Sequence, residues 1–295
     1  MQTALNGKTY VLTGFSSGIG FACTEVLAEA GADLIGVGRS EERCKQAEEK
    51  LRSRFPDSKI QWVLADLTSQ AEVRRAAAEI GAILTGNGKN GLDGLINVAG
   101  TFEYWMRLTQ EGIETQWAVN HLAPFLLSHE LMLWLQAAKN ARVLTVSSDS
   151  HYFGCIDWKD PQQTRHYNGL SAYGATKLAN VLFSAEFNRR LRKTSGVRAF
   201  AVDPGLVKTE IGFKNTPPFW RWVWQVRRSG GTSPEVPALG IYQLLAAPEG
   251  ELAEGVYWKD GRLKDESRRA LSLLDAKLLW EYSNRLCGIE NGDWK

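Results

Sequence analysis

The sequence predicts a doubly wound α/β fold, a parallel seven-stranded sheet with helices on both faces. Three observations lead there. Short apolar runs bounded by turn residues alternate with longer amphipathic stretches from Thr9 to Trp258, the pattern of strands joined by crossover helices. A glycine-rich turn joins the first run to the first helical stretch, and no internal repeat or linker breaks the alternation. Residues 1–295 are therefore read as a single domain, within which 210–237 form an insertion and 262–295 a C-terminal extension.

The elements follow in order. Thr9 to Thr13 reads as a buried strand and Gly18 to Ala30 as a helix; Asp33 to Val37 is a second strand, followed by the charged helix Ser40 to Arg54. Ile60 to Ala65 gives a third strand, and Ser69 to Leu84 a helix with Ser69 as N-cap. After the Gly/Asn-rich connection Gly86 to Gly91, Gly94 to Val98 is a fourth strand. One helix is expected across Thr109 to Leu135, a fifth strand over Val143 to Ser147, and a helix from Ala172 to Leu191. Val197 to Val202 and Gly255 to Trp258 supply strands six and seven. Strands separated by helices pair in parallel through right-handed crossovers.

Composition narrows the function classes. The 295 residues are 44% hydrophobic and 23% charged, with 28 Gly and 9 Pro, which excludes collagenous and low-complexity chains. Lys plus Arg number 35 against 33 Asp plus Glu, a balance unlike the concentrated basic stripe of a nucleic-acid binder. The four cysteines, Cys23, Cys44, Cys155 and Cys287, form no C-x-x-C pair. They fit neither a zinc site nor a disulfide framework and suit a reducing compartment. No signal-peptide pattern or membrane-length apolar run is visible, so a cytoplasmic protein without bound metal is expected.

The first strand runs into Thr13-Gly14-Phe15-Ser16-Ser17-Gly18-Ile19-Gly20. Glycines there permit a tight turn and bring backbone N–H groups to a pyrophosphate at a helix N-terminus. The T-G-x-x-x-G-x-G spacing resembles the cofactor loop of the short-chain dehydrogenase/reductase family, and the resemblance implies a Rossmann fold. An NAD site would place an acid at the end of the second strand. This chain has Gly38-Arg39-Ser40 there, and Asp33 lies at the strand's far end. Arg39 can fork onto a 2′-phosphate, which favours NADP(H) over NAD(H). Asp66-Leu67 resembles the family's adenine-flanking pair. Asn97-Val98-Ala99-Gly100 resembles its Asn-Asn-Ala-Gly motif with Val98 in place of the second Asn, so Asn97, Ala99 and Gly100 are read as cofactor contacts.

Tyr173 and Lys177 stand four apart in a helical stretch and share one face. A free phenol titrates near 10 and is a poor base at neutral pH; a neighbouring ammonium favours the phenolate. The strand Val143 to Ser147 ends in two serines, and by resemblance Ser148 is the catalytic one that also holds the substrate oxygen, with Ser147 as the alternative. Asn120, in Val119-Asn120-His121-Leu122, matches the family Asn that holds a water near the catalytic Lys. Pro204, Gly205, Val207 and Thr209 match the segment beside the nicotinamide. His121 and His151 are read as satisfied structural histidines.

The resemblance runs from about Gly7 to Thr209, and its details are most similar to the retinol-dehydrogenase-like branch. That branch often carries an N-terminal membrane segment, which does not stand at the start of this sequence. The resemblance implies an alcohol dehydrogenase or carbonyl reductase. A nucleotide-sugar epimerase or dehydratase, and a non-catalytic NADP-sensing or interaction module, are the competing readings. Pro217-Pro218 followed by Phe219 to Arg228 predicts a helix with a wide apolar surface. It reads as core, as a lid placing Trp220 and Trp224 against a bulky lipophilic alcohol or carbonyl substrate, or as a peripheral membrane contact. Homo-oligomerisation is left open.

Overall fold

The computed structural model describes residues 4–207, 231–252, 254–290 and 294. Its first half alternates as expected: β1 (Thr9–Thr13), α1 (Gly18–Glu29), β2 (Asp33–Gly38), α2 (Glu41–Arg54), β3 (Ile60–Leu64), α3 (Gln70–Gly86) and β4 (Gly94–Asn97). There follow α4 (Thr115–Trp117), a π-wound turn (Ala118–Leu122), α5 (Ala123–Glu130), α6 (Met132–Ala137) and β5 (Arg142–Val146). The long α7 (Gly169–Ser195), β6 (Arg198–Asp203), α8 (Glu235–Ala246), β7 (Tyr257–Lys259), β8 (Arg262–Leu263) and α9 (Leu273–Cys287) complete the order.

The sheet order is β3-β2-β1-β4-β5-β6-β7-β8. The seven strands from β3 to β7 are parallel, and β8 adds a short antiparallel edge. The eighth strand corrects the expected count of seven; two exposed residues carry no apolar run by which a sequence could announce it. The seventh strand begins two residues later than expected because Gly255 sits at φ 135, outside strand geometry. Ser40 and Ser69 cap their helices by accepting from the N–H of Arg43 and Glu72.

The single helix expected over Thr109 to Leu135 is also corrected. Leu108 bridges Glu114 in antiparallel fashion, and helix begins only where the Glu114 carboxylate caps the N–H of Trp117 at 2.8 Å. Winding then loosens to π at Ala118–Leu122 and resumes with Pro124 in the first turn of α5. In the other direction, α7 is longer than expected, since Asn168 caps it and Gly196 closes it at φ 69.

Alternate residues of β1 feed opposite cores, as a sheet covered on both sides requires. Tyr10 and Leu12 join Phe15, α1, α2 and α8, whereas Val11 faces α3, α5, α7 and α9. The C-terminal extension belongs to that second core. Trp280 of α9 stacks on Phe183 of α7 with 6.1 Å between ring centres, and Trp294 lies 4.5 Å from Trp280.

The chain leaves β1 towards β2 and β3, then crosses back to β4 on the other side of β1. At such a reversal the carboxyl ends of neighbouring strands open a crevice. Register aligns those ends: Thr13 pairs with Val37 and Asn97, Asn97 with Thr145, and Val146 with Val202. Gly14, Arg39, Val98, Ser147 and Pro204 therefore emerge along one edge.

Candidate active site

The left half of the crevice is a cradle of backbone. Gly14 adopts φ 71, and a Cβ on it would stand 3.1 Å from the Cα of Ala99. One on Gly20 would meet the Gly14 carbonyl oxygen at 2.1 Å, so only glycine lets α1 start this close to the loop. Ser17 precedes α1 without a capping side-chain bond, and no acidic residue sits in the first turn. The first N–H groups of α1 thus remain for an anion. Ser16 and Ile19 are half-buried beside them, and Gly18 is exposed.

Thr13 closes the cradle: its Oγ1 accepts from the N–H groups of Val98 and Ala99, each at 3.1 Å. Asn97 is buried, its Nδ2 donates to Thr145 Oγ1 at 3.4 Å, and its Oδ1 has no hydrogen-bond partner among the described residues. Asp66 turns its Oδ1 to the Thr68 N–H and hydroxyl, and Leu67 packs against the core. Arg39 is exposed and forms no ion pair with the described residues, while Asp33 is paired with Lys89 at the other end of β2. The open helix start and the Asn97 oxygen without a partner among the described residues fit a nicotinamide dinucleotide. Gly100, Pro204, Gly205 and Val207 are half-buried around the same crevice, and Val207 bridges Thr232.

The right half carries the polar side chains. β5 delivers Ser147 and Ser148, and the structure separates them. Ser147 is buried with its hydroxyl donated to the Lys177 carbonyl at 2.8 Å. Ser148 is half-buried, and its Oγ accepts from the Ser150 N–H at 3.2 Å. Its carbonyl is held by His151 Nδ1 at 2.9 Å, and His151 Nε2 accepts from the Ser267 N–H at 3.1 Å. Both ring nitrogens are thereby occupied, and Nδ1 carries the proton. The C-terminal extension clamps the serine loop through this ring.

Tyr173 is half-buried, edge-on to Phe102 with 5.9 Å between ring centres. Its hydroxyl has no hydrogen-bond partner among the described residues, and the Lys177 ammonium lies 5.2 Å from its ring centre. Burial, reinforced by the Asp203 carboxylate, pushes the phenol well above its ordinary value. This departs from the lowering expected of a neighbouring ammonium. The reason is geometric: Lys177 Nζ donates to the Val146 carbonyl at 3.0 Å and stands over the ring. Burial pushes Lys177 itself down to about 8.

Asn120 sits on the π turn, and its whole side chain is engaged. Oδ1 accepts from Thr101 N–H at 2.7 Å; Nδ2 donates to the Thr101 carbonyl at 3.0 Å and to Thr176 Oγ1 at 3.2 Å. The amide splices the loop after β4 to α7. The structure thus brings Asn120, Ser148, Tyr173 and Lys177 together. Thr209, Trp220 and Trp224, with most of the 210–237 insertion, lie outside the described residues. Sequence reasoning passed over Thr101, Thr176 and Asn180. Asn180, three residues after Lys177 on the same helix face, was the one with a detectable signal.

Comparison with known proteins identifies the family. The family profile described as short chain dehydrogenase matches residues 8–217. Human retinol dehydrogenase 13 is 34% identical over 98% of this chain and 87% of its own length. Human dehydrogenase/reductase SDR family member 13 is also 34% identical, over 98% of this chain and 75% of that protein. Among solved structures, an uncharacterized protein from Mycobacterium paratuberculosis superposes with a TM-score of 0.72 at 28% identity, covering 98% of this chain and 96% of the other. An alcohol dehydrogenase from Thermococcus sibiricus, complexed with 5-hydroxy-NADP, shares the fold with a TM-score of 0.65 at 22% identity, covering 85% and 95%. The chain belongs to the short-chain dehydrogenase/reductase family, in its retinol-dehydrogenase-like branch.

Proposed function

We propose that the chain is an NADP(H)-dependent oxidoreductase that interconverts a bulky lipophilic alcohol and the corresponding aldehyde or ketone. Family membership already makes it an oxidoreductase of the alcohol–carbonyl type. The observation that carries the finer reading is the meeting of a Tyr173 hydroxyl without a partner among the described residues, the half-buried Ser148 and the Lys177 ammonium opposite the glycine cradle. The relatives' names, retinol dehydrogenase among them, favour lipophilic alcohols. Arg39 and the missing acid at the end of β2 favour the 2′-phosphorylated dinucleotide.

The cradle residues Gly14, Ser16, Ser17, Gly18, Ile19 and Gly20 would hold the pyrophosphate. Arg39 would hold the 2′-phosphate, Asp66 and Leu67 the adenine, and Asn97, Ala99, Gly100, Pro204, Gly205 and Val207 the remainder. A bound nicotinamide supplies the hydride to the carbonyl carbon, or takes it from the alcohol carbon. Ser148 Oγ holds the substrate oxygen and donates to it as negative charge develops there. Tyr173, kept protonated by burial, hands its proton to that oxygen in reduction and takes one back in oxidation. Lys177 would present its remaining N–H groups to the ribose.

A panel of lipophilic aldehydes and ketones with NADPH and NADH tests the proposal. NADPH should be preferred, and Arg39→Asp should cut kcat/KM for NADPH by at least ten-fold while sparing NADH. A wild type that prefers NADH would remove Arg39 from its role.

A further inference from the structure

We infer that Asn180, fixed by His121 and by Ser283 of the C-terminal helix, is a positioning residue for Lys177 and so for the bound dinucleotide; the inference rests on the role given to Lys177 above. The starting point is a backbone defect. In a regular α-helix the Asn120 carbonyl would accept from the N–H of residue 124, but that residue is Pro124 and has none. The turn is π-wound there, and Asn180 supplies the missing donor. Its Nδ2 donates to the Asn120 carbonyl at 2.9 Å and to the Val146 carbonyl at 3.2 Å. The Val146 carbonyl is also the oxygen that receives Lys177 Nζ at 3.0 Å. One amide thus ties the π turn to the end of β5 and sets the carbonyl on which the lysine rests.

Donor and acceptor roles along the rest of the network follow by elimination. A group facing two carbonyls must be the NH₂, so Asn180 turns its Oδ1 to His121 Nδ1, 3.4 Å away, and accepts a hydrogen bond from that ring's N–H. The other ring nitrogen is then an acceptor, and the Ser283 hydroxyl donates to it at 2.8 Å. Asn180, His121 and Ser283 are each no more than 1% exposed. Trp117, Phe125 and Phe183 pack around the imidazole at 5.5, 6.0 and 6.2 Å between ring centres. The ring cannot swing, so the Asn180 amide is held in the one orientation that serves both carbonyls. If Asn180 let go, Lys177 would be the sole side-chain donor on the Val146 carbonyl, and its reach to the ribose would change.

The test uses the full chain with His121→Phe, His121→Gln, Ser283→Ala and Asn180→Ala. NADPH affinity is read by fluorescence titration, carbonyl reduction by steady-state kinetics, and folding by the thermal midpoint. His121→Phe fills the aromatic box without donating to Asn180, and should weaken NADPH binding at least five-fold and lower kcat more than it changes KM for the carbonyl substrate. Asn180→Ala should do the same. His121→Gln, whose amide can donate to Asn180 Oδ1, should restore affinity to within two-fold of wild type. Ser283→Ala should fall between them and retain its fold if the bulkier changes do not. Lowered thermal midpoints with NADPH affinity unchanged in His121→Phe and Ser283→Ala would make the network merely structural and overturn the inference. A wild type that binds NADPH but reduces no carbonyl would instead fail the proposed function and leave the affinity arm decisive.

Discussion

One buried ring should make its own contribution to acid sensitivity. His121 has no exposed surface, and burial pushes it from 6.5 down to about 4, with the Asn180 hydrogen bond opposing only in part. In the unfolded chain the imidazole takes a proton below about 6.5; in the fold it stays neutral until about 4. The unfolded state therefore binds more protons across this window, and stability is lost as pH falls through it. Each unit corresponds to about 1.4 kcal/mol, so this ring alone withdraws about 3 kcal/mol between neutral pH and pH 4. His121→Gln removes the titrating group. The assay is urea denaturation of wild type and variant at half-unit steps from pH 7.5 downward. Groups present in both proteins cancel in the difference between their unfolding free energies. That difference should be flat above pH 6.5 and slope by about 1.4 kcal/mol per unit below it, in the variant's favour. A difference independent of pH would refute the placement of a neutral His121 between Asn180 and Ser283.

Three further outcomes follow from the site. Ser148→Ala should lower kcat by ten-fold or more with the thermal midpoint unchanged. Ser147→Ala should instead cost about 1 kcal/mol of stability, checked by denaturation, because a buried hydrogen bond to the Lys177 carbonyl is lost. Lys177 is pushed down to about 8, so the ammonium is lost as pH rises above that value. NADPH affinity should accordingly fall above about pH 8, with a midpoint raised by whatever negative charge the bound dinucleotide brings. A fluorescence titration series should show this fall, and Lys177→Met should flatten it.

What the sequence could reveal was set by how locally each feature is determined. β1 to β6 are largely apolar runs bounded by turn residues, the cradle is marked by its glycine spacing, and the Tyr173–Lys177 pair by its spacing along one helix. The break between Thr109 and Leu135 was hidden because its apolar residues keep a helical period across the π turn. Only Pro124 hinted that the Asn120 carbonyl would need a partner from elsewhere. The choice between Ser147 and Ser148 depended on a contact with the Lys177 carbonyl, 30 residues away, which no local pattern encodes. His151 shows the same limit. Its structural role was legible as a residue type, but its partner Ser267 lies 116 residues further on. The eighth strand, two exposed residues long, left no pattern at all.

The central claim is that Tyr173 moves the proton while the cradle and Lys177 hold the dinucleotide, and Tyr173→Phe separates these tasks. The decisive measurement pairs NADPH affinity with the rate of carbonyl reduction in wild type and Tyr173→Phe. Phenylalanine keeps the edge-on contact with Phe102 and removes only an oxygen that has no partner among the described residues, so fold and cofactor affinity should stay within about two-fold, well under 1 kcal/mol. The rate should fall by at least a hundred-fold, the scale of a lost general acid. A variant that binds NADPH normally and still reduces the carbonyl at a rate close to wild type would contradict the account.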